Sequence, residues 1–188
     1  MGTSTGLKID IGCGKNKKSG FIGLDRVEMS GVDIVCDFDK EKIPFEDNSV
    51  NEVHSMHSME HISDMLFIME ELWRVCEDKA KITIYVPYFT SVGAFRDPTH
   101  KRFFTYETFD HFTDTEKLPT FYSGAKFKII KKQILFYPGN SNIYGKIRFL
   151  HMMPFQWIAN LLPYFYEHSF LKLFSARDLH VELEVIKN

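Results

Sequence analysis

The chain has 188 residues, with 23 basic and 25 acidic side chains and a formal net charge of −2. A chain of this length folds as one domain and buries about 70% of its unfolded surface without disulfide or metal staples. The near-neutral balance excludes a strongly basic nucleic-acid module, and 44% hydrophobic with 26% charged residues excludes a disordered chain. Cys13, Cys36 and Cys76 are odd in number and form no C-x-x-C, so they read as reduced thiols. Met1 to Gly6 lacks the basic and apolar regions of a secretory leader, and the expected location is cytoplasmic.

Leu7 to Ile11 reads as an apolar strand ending in Gly12-Cys13-Gly14. Phe21 to Leu24 follows as a second strand, ending at Asp25, and Asp33 to Cys36 as a third, ending at Asp37. Val50 to Met56 is a fourth. Asp64 to Cys76 then carries apolar residues at helical spacing. Lys81 to Val86 is a fifth strand, stopped by Pro87. Strands that alternate with helical or irregular crossovers predict an α/β fold with a doubly wound, mostly parallel sheet. Further on, Tyr106 to Phe112 reads as a short helix and Phe127 to Tyr137 as a long strand. Leu179 to Ile186 alternates apolar and polar residues as a half-exposed strand. The last two strands predict a late antiparallel pair. The roughly 40 residues between them exceed any turn and predict a helical insert or lid over 138–178.

Phe149 to Tyr166 is the longest uncharged stretch, but Pro154, Pro163, Gln156 and Asn160 argue against a single membrane span. It reads as broken amphipathic helices. Over 143–174 they would cover a cleft as a lid, form a homodimer face or make a peripheral membrane contact, with internal core the favoured plain reading.

The glycine turn at the end of the first strand lets backbone approach a ligand closely, because no Cβ intervenes. Ligands of such sheets bind outside the carboxyl ends of the strands. Asp25 at the second strand end suits a ribose diol. Asp37 followed by Phe38 suits an adenine, the acid taking the exocyclic amine and the ring packing on the base. The dinucleotide pattern would need glycine where Lys17 stands, and the phosphate-loop pattern needs a glycine that Lys17-Lys18-Ser19 lacks. A nucleoside without a pyrophosphate fits better.

Asp10-Ile11-Gly12-Cys13-Gly14 resembles the D-x-G-x-G first motif of class I S-adenosylmethionine-dependent methyltransferases. Ile43 to Val50, Ser58-Met59-Glu60-His61-Ile62 and Glu71-Leu72-Trp73-Arg74-Val75 resemble three further motifs of that superfamily, in order, over about residues 7–90. The chain looks most like its small type 11 group. The resemblance implies a Rossmann-like sheet of seven strands and S-adenosylmethionine as cofactor. By position, Gly12, Cys13 and Gly14 would pass under its methionine part, with Asp10 fixing the turn. Asp25 would hold the ribose, Asp37 the adenine amine and Phe38 the base. Ser55, Met56 and His57 would face the sulfonium. The departures are Lys15-Asn16-Lys17 in place of a third glycine, and only about nine residues between the first two strands, where a crossover needs a dozen or more.

His57-Ser58-Met59-Glu60-His61 also matches H-x-x-E-H, a zinc-peptidase signature, but it directly follows a strand instead of lying inside a long helix. A milder metal reading uses His57, Glu60 and His61. The preferred reading has Glu60 and His61 capping the turn, with no metal. Arg96 to Phe104 follows the fifth strand and resembles a segment that several family members carry there. His57 and His100 are the candidate catalytic bases. Tyr88, Asp97, Arg102 and Phe103 are the candidate substrate residues, against a plain Asx turn at Asp97. The expected function is methyl transfer to a small-molecule or lipid- or sugar-linked acceptor, with no nucleic-acid partner. The alternatives are an inactive methyltransferase-like binding or scaffold protein and, further off, an NAD-type oxidoreductase.

Overall fold

The computed structural model describes residues 6–113, 123–137 and 150–187. The expected leader-free end at 1–5 and the first part of the insert, 138–149, lie outside the described residues. Seven strands form one sheet: β1 Leu7–Ile11, β2 Ile22–Asp25, β3 Ile34–Val35, β4 Val50–Met56, β5 Cys76–Pro87, β6 Phe127–Leu135 and β7 Asp178–Val185. Their order is β3-β2-β1-β4-β5-β7-β6. The first five run parallel, and β7 enters antiparallel between β5 and β6. The late antiparallel strand and the insert between the last two strands are therefore as the sequence reading has them. Strand order reverses at β1, so the carboxyl ends of β1, β2, β3 and β4 open on one crevice.

Helix α1 (Met65–Val75) starts where the Asp64 carboxylate accepts the Phe67 N–H at 3.0 Å, satisfying one of the free amides of the first turn. Its Ile68, Met69, Leu72 and Val75 are buried. They join Ile9, Ile11, Val53, Ile82, Ile84, Val181 and Leu183, which share one face of the sheet and are fully buried. The other face alternates with it and is polar. Tyr85 stacks on His180 at 4.3 Å, and Lys8–Glu52 and Lys81–Glu182 pair at 2.7 Å. No helix joins β1 to β2. Phe21 instead meets His54 edge-on at 6.2 Å, and Lys18 sits 4.4 Å over the Phe21 ring.

Two boundaries differ from the sequence reading. Strand β5 begins at Cys76 and runs straight out of α1, with Lys79 in the left-handed region at φ 64° where a glycine would normally turn. The expected helix at 106–112 is a 3-10 turn, Thr108–Phe112. The insert folds as α2 (Met153–Leu161) and α3 (Pro163–His168), broken at Pro163 as expected. It is tied to the β6 segment by Asn160, which accepts the Ile134 N–H and donates to the Ile134 carbonyl, both at 2.8 Å. Its outer side leaves Trp157 and Leu173 exposed. Among the described residues no helix is long and apolar enough to cross a membrane.

Candidate functional site

The glycine turn is pinned from beneath. Gly12 and Cys13 N–H groups both donate to the Leu24 carbonyl, at 2.8 and 3.1 Å. Asp10 is buried, accepts the Lys18 N–H at 2.7 Å and lies 2.9 Å from His54 Nδ1. Gly12 has φ 65°, and a Cβ there would fall 2.1 Å from the Ser58 Cβ, so the strand-four loop packs where a side chain would stand. Asp25 accepts from Gly14 N–H at 3.0 Å and from Val27 N–H at 3.1 Å, one bond on each oxygen. Each oxygen keeps a lone pair for a ligand hydroxyl.

Above this turn lies a cavity of about 330 Å³, lined among others by Gly12, Gly14, Asp25, Asp37, Phe38 and His57. Asp37 accepts from Lys40 at 2.8 Å, and that bond holds its carboxyl below the usual range. Strand ends β1 to β3 thus bring together glycine backbone, two carboxylates and an aromatic ring, as the sequence spacing implies.

Asp10 holds the turn through the Lys18 N–H, as expected, and does not itself line the cavity. Three expected contacts lie elsewhere. Cys13 is turned toward the carbonyls of Gly14 and Gly31, each 3.6 Å from its sulfur, and burial with Asp10 and Asp25 pushes its thiol up to about 11. Ser55 is fully buried and bonds Ser58 at 2.6 Å; period-two alternation sends its side chain into the core. Met56, next along the strand, points to the opposite face and is exposed. The cavity positions not assigned to the cofactor from sequence are Arg26, Val27, Asp39, Ser58, His61 and Ile62. Ser58, His61 and Ile62 lie in a motif that carries the resemblance, and Asp39, next to Phe38, had a signal in its acidic side chain.

A second cavity of about 290 Å³ adjoins the first and shares His57 and His61 with it. Glu60, Arg96, Asp97, His100, Arg177 and Asp178 also line it. His57 stands at the junction in the left-handed region, φ 54°, its N–H held by the Tyr85 carbonyl at 2.9 Å. Left-handed backbone at a non-glycine residue costs energy, and it aims this ring at the boundary of both cavities. Its Nδ1 lies 3.5 Å from Glu60 Oε1 and its Nε2 3.8 Å from Asp178 Oδ1. Glu60 first and then Asp178 hold the His57 pKa above its ordinary value against burial. Asp178 itself is pushed up by burial. It reaches the site because β7 pairs antiparallel with β5, setting Asp178 opposite Pro87.

His100 and Asp97 line this second cavity as expected. Three other candidate substrate residues do not. Tyr88 is fully buried and donates to Glu167, tying the end of β5 to α3. Arg102 donates to the Ser63 carbonyl and is exposed. Phe103 stacks on Phe95 at 4.6 Å, away from both cavities. None of the helical residues 150–174 of the insert lines either cavity.

Comparison with known proteins agrees with this geometry. Residues 9–84 match the family model described as a methyltransferase domain. A SAM-dependent methyltransferase from Archaeoglobus fulgidus superposes with a TM-score of 0.61 at 19% identity, over 95% of this chain and 85% of that one. One from Mesorhizobium loti gives 0.57 at 13% identity, over 95% and 90%. Phosphoethanolamine N-methyltransferase 2 from Haemonchus contortus, in complex with S-adenosyl-L-methionine, gives 0.54 at 15% identity, over all of this chain and 50% of that one. No curated protein matches the sequence.

Proposed function

With residues 9–84 a methyltransferase domain, on the sheet of the class I S-adenosylmethionine-dependent enzymes, we propose that this chain methylates a small polar molecule held in the second cavity. The cofactor is S-adenosylmethionine, and the first cavity fits it in kind. Gly12 and Gly14 leave room for close approach, Asp25 has lone pairs left for a diol, and Asp37 with Phe38 would hold an adenine. When bound, the cofactor supplies an already activated methyl group on a sulfonium.

The chain's own task is alignment and proton handling. The observation that carries the acceptor reading is the meeting of two cavities at His57 and His61. An acceptor in the second cavity would face the first directly across the His57 ring. Arg96 and Arg177 would hold an anionic or hydroxylated acceptor, and His57 would take the proton its nucleophile loses. A volume of about 290 Å³ suits a metabolite-sized group.

The test is incubation of the protein and methyl-labelled S-adenosylmethionine with a fractionated metabolite extract, followed by mass spectrometry. A labelled small polar product is expected, and its yield should fall at least about tenfold with Arg177→Ala if acceptor binding loses one charged hydrogen bond. Label confined to protein, nucleic acid or bilayer lipid would contradict the reading.

A further inference from the structure

We propose that Glu60, His61 and His100 form a divalent-metal site in the wall of the second cavity. One ligand atom of each lies within 4.8 Å of the others. Glu60 is 1% exposed, and its Oε2 has no hydrogen-bond partner. A buried carboxylate oxygen left unpaired is costly, and a cation would satisfy it.

The proton positions point the same way. His100 Nδ1 lies 2.9 Å from the Ala94 carbonyl. A carbonyl only accepts, so Nδ1 carries the hydrogen and the neutral ring offers a lone pair at Nε2. That Nε2 is 3.9 Å from Glu60 Oε1. His61 Nδ1 lies 2.9 Å from the Thr99 hydroxyl, whose single hydrogen goes to Asp97 Oδ1 at 2.7 Å. Thr99 therefore accepts from His61, and the second ring also keeps Nε2 free. Both rings have their outer N–H anchored, one by a carbonyl and one by the Thr99–Asp97 pair. Histidines that bind metals carry this kind of support. The two rings meet edge-on at 4.7 Å.

A plain ion pair accounts for the geometry less well. A charge-assisted N–H to carboxylate bond closes to about 2.7–2.9 Å, whereas the His100–Glu60 separation is 3.9 Å. Two imidazoles and one carboxylate select Zn²⁺, Fe²⁺, Co²⁺ or Ni²⁺ over Mg²⁺ or Ca²⁺. Because these residues line a cavity, positions on the ion would stay open to water or to an acceptor oxygen, whose proton the ion would make easier to lose. The site goes beyond the methyl-transfer reading and does not depend on it.

The test is titration of the chelator-treated full chain with Co²⁺, followed by visible absorption. Ligand-field bands that saturate at one equivalent are expected. His61→Ala and His100→Ala should each abolish them while circular dichroism reports a retained fold. Thr99→Val, which removes only the support of His61, should weaken Co²⁺ binding about 10- to 100-fold. Asp25→Ala should keep the bands while weakening S-adenosylhomocysteine binding at least about tenfold, so failure of the metal site and failure of the cofactor reading are told apart. Absence of bands in the wild type, bands undiminished in the two histidine variants, or unchanged affinity in Thr99→Val would overturn the proposal.

Discussion

Asp25 is where one side chain carries most of the cofactor argument. It closes two backbone bonds, to Gly14 and Val27, and its remaining lone pairs face the first cavity. Asp25→Ala should therefore cost cofactor affinity far more than fold. We expect at least about a tenfold rise in the dissociation constant for S-adenosylhomocysteine by calorimetry, the loss of roughly 1.4 kcal/mol or more. Wild-type affinity in the variant would remove the ribose assignment. The acidic strand ends and the left-handed glycines were legible because few residue types suit those positions. Ser55 and Met56 were not, because a strand sends neighbours to opposite faces and motif position alone does not say which. Arg177 and Asp178 lay beyond reach for another reason. They enter the site only through the β5–β7 pairing, and register between strands so distant in sequence is set by the folded core.

At the scale of elements, α1 is locked to the loop before β4 by one buried pair. Glu71 accepts from the Ile43 N–H at 2.9 Å and pairs with Arg74 at 2.8 Å, while Arg74 also donates to the carbonyls of Ile43 and Phe45. Burial pushes the Glu71 carboxyl up, but the Arg74 guanidinium and the Ile43 amide together hold it below its ordinary 4.5. A folded pKa below the unfolded one stabilises the fold above about pH 4.5, and that contribution is lost as pH falls through the folded pKa. Glu71→Gln should therefore lower the melting temperature at pH 7. The gap to wild type should narrow on acidification below about pH 4, as thermal denaturation across pH 7 to 3 would show. A constant gap would mean that Glu71 acts through packing alone. The motif Glu71-Leu72-Trp73-Arg74-Val75 announced this helix, and its spacing puts Glu71 and Arg74 one turn apart. What it did not announce is that α1 passes into β5 without a loop.

For the molecule as a whole, the sheet order follows from pattern. Short apolar strands, the first three ending in glycine or aspartate, declare a parallel half, and the period-two alternation of 179–185 declares the antiparallel return. The same alternation appears in Lys81–Val86 and marks the sheet face that carries Tyr85, His180 and the lysine–glutamate pairs. That face is the side on which the missing β1–β2 helix leaves Phe21 against His54, with Lys18 over the Phe21 ring. The shortened connection does not dismantle the crevice, because Asp10 and the Leu24 carbonyl hold the glycine turn in place of a helix. The central claim, that consecutive strand ends converge on an adenosine, is tested most directly by a crystal structure with S-adenosylhomocysteine. Density for the ribose against Asp25, with adenine at Asp37 and Phe38 and the sulfur toward His57, is the expected result. Density on another surface, or a crevice closed by the chain's own side chains at saturating ligand, would contradict it.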